Sequence, residues 1–169
     1  MIFSRMLCAL FAATALFHGR ACLAQPVPTT SGEALSGKPV VVADAVRGHA
    51  TILIAGFSSE GGAHSGEWAK AIHADPAFAN VAVYQVAELE RAPGFIRGMI
   101  RNGMKKDVPP ADQDRVVVLT TDSMLWQEYF DVASDKDAYI VLLDPHGKIL
   151  WHGHGPAAQL EPLVRAALH

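Results

Sequence analysis

The chain has 169 residues, 14 of them basic and 17 acidic, and half of its composition is apolar. That length suits one well-filled domain. The mildly acidic balance argues against nucleic acid, which rewards clustered Lys and Arg.

Residues 1–24 read as an export signal. Arg5 supplies a positive start, Met6 to Phe17 is an apolar run too short to span a bilayer comfortably, and Ala21-Cys22-Leu23-Ala24 offers small residues for cleavage after Ala24. Two alternatives stay open, an uncleaved N-terminal anchor and lipidation at Cys22. The second wants an apolar residue where Gly19 stands. Both cysteines, Cys8 and Cys22, lie in this segment, so a processed periplasmic protein would carry no thiol and form no disulfide. Losing Arg5 and Arg20 leaves 12 basic against 17 acidic residues, a net charge near −5.

Residues 25–38 are rich in Pro, Ser, Thr and Gly and predict a flexible leader before a domain at 39–169. Pro39 to Val46 predicts an extended edge segment. Thr51 to Phe57 (TILIAGF) predicts a strand buried on both faces. A Gly- and Ser-rich loop, Ser58 to Gly66, follows, and a helix is expected over Glu67 to Ala74. Val81 to Val86 predicts a strand. Pro93 to Met104 predicts a helix with Ile96, Met99, Ile100 and Met104 on one stripe. Val116 to Thr120 predicts a strand, and Met124 to Phe130 a short helix. Ala138 to Leu143 and Ile149 to His152 flank Asp144-Pro145-His146-Gly147-Lys148, a hairpin signature. A last helix carries Leu160, Leu163, Val164, Ala167 and Leu168. Pro162 asks it to start near Gln159 or Leu160, so that the ring falls in the first turn.

Alternating strands and helices predict an α/β fold with helices on both faces of the sheet. The closing antiparallel hairpin and helix make the expected fold a thioredoxin-like three-layer α/β/α sandwich with a mixed central sheet. Thr51 to Trp68 resembles the first strand and active-site loop of thioredoxin-like proteins. Phe95 to Leu163 resembles the mitochondrial ATP synthase assembly-factor family and its bacterial relatives. The shared features are FIRGMIRNGMKK, Val108-Pro109, the apolar run Tyr139 to Leu143 before Asp144, and Gly147-Lys148-Ile149-Leu150-Trp151 with Gly155. The family tends to place Arg before that Trp, where this chain has Leu150. The resemblance implies a folding or assembly helper acting at a membrane, with a protein client.

The segment Ser58 to Gly66 occupies the place of the redox loop. Thiol–disulfide exchange needs a thiolate and a resolving thiol, and the hydroxyls of Ser58, Ser59 and Ser65 supply neither. Asp135-Lys136-Asp137 before Ala138 also lacks the proline that thioredoxins place there. Ser58, Ser59, Glu60, Arg97, Arg101 and Trp151 are the expected partner-binding residues. Arg97, Arg101 and Lys105 recur every fourth residue and form a basic face suited to an acidic partner or to peripheral contact with anionic lipid. An ordinary solvated helix face is the plainer account. A copper or zinc site is the rival expectation. His152 and His154 share one strand face, and His64 would join them at the same end of the sheet; the plainer alternative is polar residues in a Gly-rich turn.

Overall fold

The computed structural model describes residues 25–168. The expected export signal and both cysteines lie outside them. Seven strands form one mixed sheet: β1 (Ser31–Ala34), β2 (Pro39–Val41), β3 (Thr51–Gly56), β4 (Ala82–Glu88), β5 (Val116–Leu119), β6 (Ala138–Leu143) and β7 (Ile149–His154). Their order across the sheet is β2-β1-β5-β4-β3-β6-β7. β3, β4 and β5 run parallel, while β6 lies antiparallel to β3 and β7 antiparallel to β6.

Strands β3, β5 and β6 are buried along their whole length because both faces are covered. From β3, Leu53 and Ala55 point to a layer holding Trp126, Tyr129, Val42 and Val46. These come from α4 (Ser123–Tyr129), from the one-turn α1 (Val42–Ala45) and from its C-cap. Ile52 and Ile54 point the other way, against Trp68 and Ile72 of α2 (Ser59–Ala74) and Val164 of α5 (Ala157–Ala166). The two-residue side-chain period of a strand thus builds both cores from one run of sequence. Among the described residues no helix is long and apolar enough to cross a membrane.

Four differences from the sequence expectations matter. Residues 25–38 are not a featureless leader: β1 lies between β2 and β5, and Val27, Ala34 and Leu35 are buried. Gly32 is required there, because a Cβ at that position would sit 2.7 Å from Leu119 Cδ2 and 2.9 Å from the Val118 carbonyl oxygen. Helix α2 begins at Ser59, inside the expected loop. Helix α3 (Gly94–Asp107) forms as expected but buries no residue, and Met99 from its apolar stripe is exposed. Helix α5 starts at Ala157, so Pro162 lies in its interior rather than its first turn.

Candidate functional site

The carboxyl ends of β3, β4 and β5, the start of β6 and the end of β7 meet at one pole of the sheet. Helix α2 starts there. Ser58 is its N-cap: the hydroxyl oxygen accepts from the Gly61 amide (3.1 Å) and its O–H donates to the Asp135 carbonyl (2.6 Å). Such a cap satisfies one of the free amides of the first turn. Glu60 stands in that same turn, where a carboxylate complements the positive end of the helix dipole. Ser59 and Glu60 are both exposed.

Close backbone approach explains the glycines. A Cβ on Gly61 would lie 2.7 Å from the Asp137 carbonyl oxygen and 2.8 Å from that of Asp135. A Cβ on Gly56 would lie 2.6 Å from the Gly62 nitrogen. The start of α2 therefore rests on the backbone of residues 135–137. That loop is braced from beneath by Tyr139, whose hydroxyl accepts from the amides of Ala133 (2.9 Å) and Ser134 (2.8 Å) and donates to the Ser134 carbonyl (2.8 Å).

The histidines join the same loop. His64 Nδ1 hydrogen-bonds the Lys136 carbonyl oxygen at 3.1 Å. His154 Nδ1 lies 2.8 Å from Asp137 Oδ2, and its ring stacks on Tyr139 with centroids 5.1 Å apart. His152, exposed, sits two residues earlier on the same face of β7. Thus His64 and His154 both contact the 136–137 segment. No group of three His, Cys, Asp or Glu suited to a metal ion occurs among the described residues.

The two arginines expected to face a partner are engaged within the chain. Arg97 donates from Nε to the Ala92 carbonyl and from Nη2 to the Glu90 carbonyl, both at 2.7 Å. Arg101 pairs with Glu33 of β1, and the guanidinium holds that carboxyl below its ordinary range. Trp151 packs against the core beside α5, and Leu150 is the exposed member of that pair.

Beside the pole a cavity of about 560 Å³ opens between α2 and α3, with Ser58, Ser59, Ser65, Gln85, Arg91 and Ile100 among its lining residues. That is within the usual range for a small-ligand pocket. Sequence reasoning placed Ser58, His64 and His154 at one pole but missed the 135–137 segment as their common partner. The available signal was Tyr139, an aromatic with a polar tip inside an otherwise apolar strand.

The profile of the ATP10 protein family matches residues 10–165. The chain belongs to the ATP10 protein family. A search of curated proteins gave no match. Solved structures with the thioredoxin-like fold superpose over most of this ATP10-family chain. A thiol:disulfide interchange protein from Bacteroides sp. is 17% identical, with a TM-score of 0.58 covering 86% of this chain and 90% of that one. BsSco, a member of the Sco family of cytochrome c oxidase assembly proteins, is 17% identical, with a TM-score of 0.56 over 86% and 94%. The exposed lipoprotein thioredoxin Etrx1 from Streptococcus pneumoniae is 15% identical, with a TM-score of 0.53 over 81% and 98%. These likenesses establish the fold of the ATP10-family chain, as the sequence order of elements led us to expect.

Proposed function

We propose that this chain is an exported, non-redox thioredoxin-fold helper that holds a protein client during assembly of a larger complex in the periplasm. Membership of the ATP10 protein family supports the assembly role. BsSco, a fold neighbour, belongs by its description to a family of assembly proteins. The signal-like order of Arg5, the apolar run Met6 to Phe17 and the small residues before Gln25 supports export.

One observation carries the non-redox part. At the start of α2, where a thioredoxin-like protein keeps its reactive thiol, stands Ser58, and its hydroxyl is already committed to Gly61 and Asp135. A hydroxyl so placed is a structural cap, and it has no exchangeable partner. The pole is left as a rigid surface of Ser59, Glu60 and the neighbouring cavity, suited to recognition rather than reaction.

The test is affinity isolation of the full chain from cell envelopes after mild crosslinking. A reproducible protein partner, absent from a tag-only control, supports the proposal. No partner from a correctly folded sample overturns it. Calorimetric titration with copper and zinc separates it from a metal-handling protein. Heat that disappears in the His152→Ala/His154→Ala variant would favour the metal reading.

A further inference from the structure

Helix α3 has two sides of different character. Its half-buried side carries Ile96, Arg97, Ile100, Arg101 and Met104. It is held mainly by polar ties: Arg97 to two carbonyls, Arg101 to Glu33, and Gln113 Nε2 donating to the Lys105 (3.2 Å) and Val108 (3.1 Å) carbonyls. The other side is open. Phe95 is 81% and Met99 71% exposed, far more than two large apolar side chains on one helix stripe usually are. Phe95, Met99, Asn102 and Lys106 recur at helical spacing along that stripe, and all four are exposed. Gly94, Gly98 and Gly103 have nothing within 4 Å of where a Cβ would stand, so the outer backbone of α3 is bare.

We infer that this outward face of α3 is the docking surface for the client, and that the client presents to it a helical segment with apolar side chains and an Asp or Glu. This rests on the client-holding reading above and names the surface and the partner's chemistry. The charge pattern decides the partner. Arg97 and Arg101 are engaged on the inner side and Lys105 follows them on the same line, so Lys106 is the charge carried by the Phe95–Met99 stripe. Lys106 lies eleven residues from Phe95, about 16 Å along the helix at 1.5 Å per residue. The matching segment therefore carries its acid about three turns from the apolar anchor that meets Phe95. The bare glycines permit the short helix–helix distance that such packing needs. A lipid surface has no use for that close approach.

The experiment places a photo-crosslinking amino acid at Phe95, Met99, Ser59 or Met124 of the full chain in its own cells. Met124, 84% exposed on the opposite face of the sheet, controls for bare apolar exposure. The inference expects one protein adduct from positions 95 and 99 and none from 124. The adduct should map by mass spectrometry to a segment with apolar residues at helical spacing and a nearby Asp or Glu. In a chain with the crosslinker at 99, Phe95→Ala should weaken capture by roughly tenfold. Lys106→Glu should weaken it similarly, and changing the mapped acid to Lys should restore it. Thermal melting checks that the variants fold. Adducts with lipid alone, equal capture from 124, or no rescue by the acid-to-Lys change overturn it. Capture from 59 without capture from 95 or 99 rejects this surface and keeps the client-holding function. No capture from any position rejects both.

Discussion

Gly61 and Gly62 are neighbours in the first turns of α2, yet alanine should act on them in opposite directions. Either substitution removes backbone freedom from the unfolded chain and adds helix propensity, a gain of roughly 0.5–1 kcal/mol. At Gly62 nothing lies within 4 Å of the added Cβ, so that gain should appear undiminished. At Gly61 the Cβ meets the Asp137 and Asp135 carbonyl oxygens at 2.7 and 2.8 Å. Both obstacles are backbone, and the loop that carries them is pinned by Tyr139. Relief requires moving α2 or the loop, at the 1–3 kcal/mol typical of overpacking. With the shared gain cancelling, Gly61→Ala should be less stable than Gly62→Ala by about 1–3 kcal/mol. Urea denaturation of the two purified variants measures that difference directly, provided the slopes of the two curves agree. If Gly61→Ala proves as stable as Gly62→Ala, the close approach of α2 to the 135–137 backbone is wrong, and with it our account of the pole.

Other consequences are simpler. Ser58→Ala removes the cap on Gly61 and the tie to Asp135, and should cost about 1 kcal/mol, seen as a lowered thermal midpoint. Trp68 is fully buried and donates from Nε1 to the Gly155 carbonyl at 2.8 Å. Trp68→Phe should cost about 1–3 kcal/mol in chemical denaturation, from the lost bond and the space left behind. Asp144 accepts from the Lys148 and His146 amides in the β6–β7 turn, which holds its carboxyl below the ordinary range. A lowered folded value means that this contribution is present above about pH 4 and fades as pH falls through it. The denaturation midpoint should therefore depend less steeply on acid pH in Asp144→Asn.

The legible parts of the fold were those in which one segment carried its own signal. Thr51 to Gly56 and Ala138 to Leu143 are continuous apolar runs, and a strand covered on both faces leaves no other pattern. The first half of α2 was illegible because its glycines count against a helix in isolation. They are present for contact with residues 135–137, which are distant in sequence. The strand β1 was missed for the same reason: Ser31-Gly32-Glu33-Ala34 has little strand propensity, and its neighbours β2 and β5 decide its state. At the site, the spacing of Arg97 and Arg101 was plain in the sequence. Their engagement by the Glu90 and Ala92 carbonyls and by Glu33 was not, since those partners belong to a loop and to a strand the sequence did not announce. The face of α3 left outward is thus Phe95, Met99 and Lys106 rather than the arginines.

The central claim is that a client is held without thiol chemistry. Cys8→Ser/Cys22→Ser in the full chain removes both sulfhydryls and keeps a small residue before the expected cleavage point. With a photo-crosslinker at Met99, the account predicts the same client adduct as in the unsubstituted chain, in equal yield and whether or not reductant is present before irradiation. Loss of the adduct in the cysteine-free chain, or when reductant is present before irradiation, would contradict it.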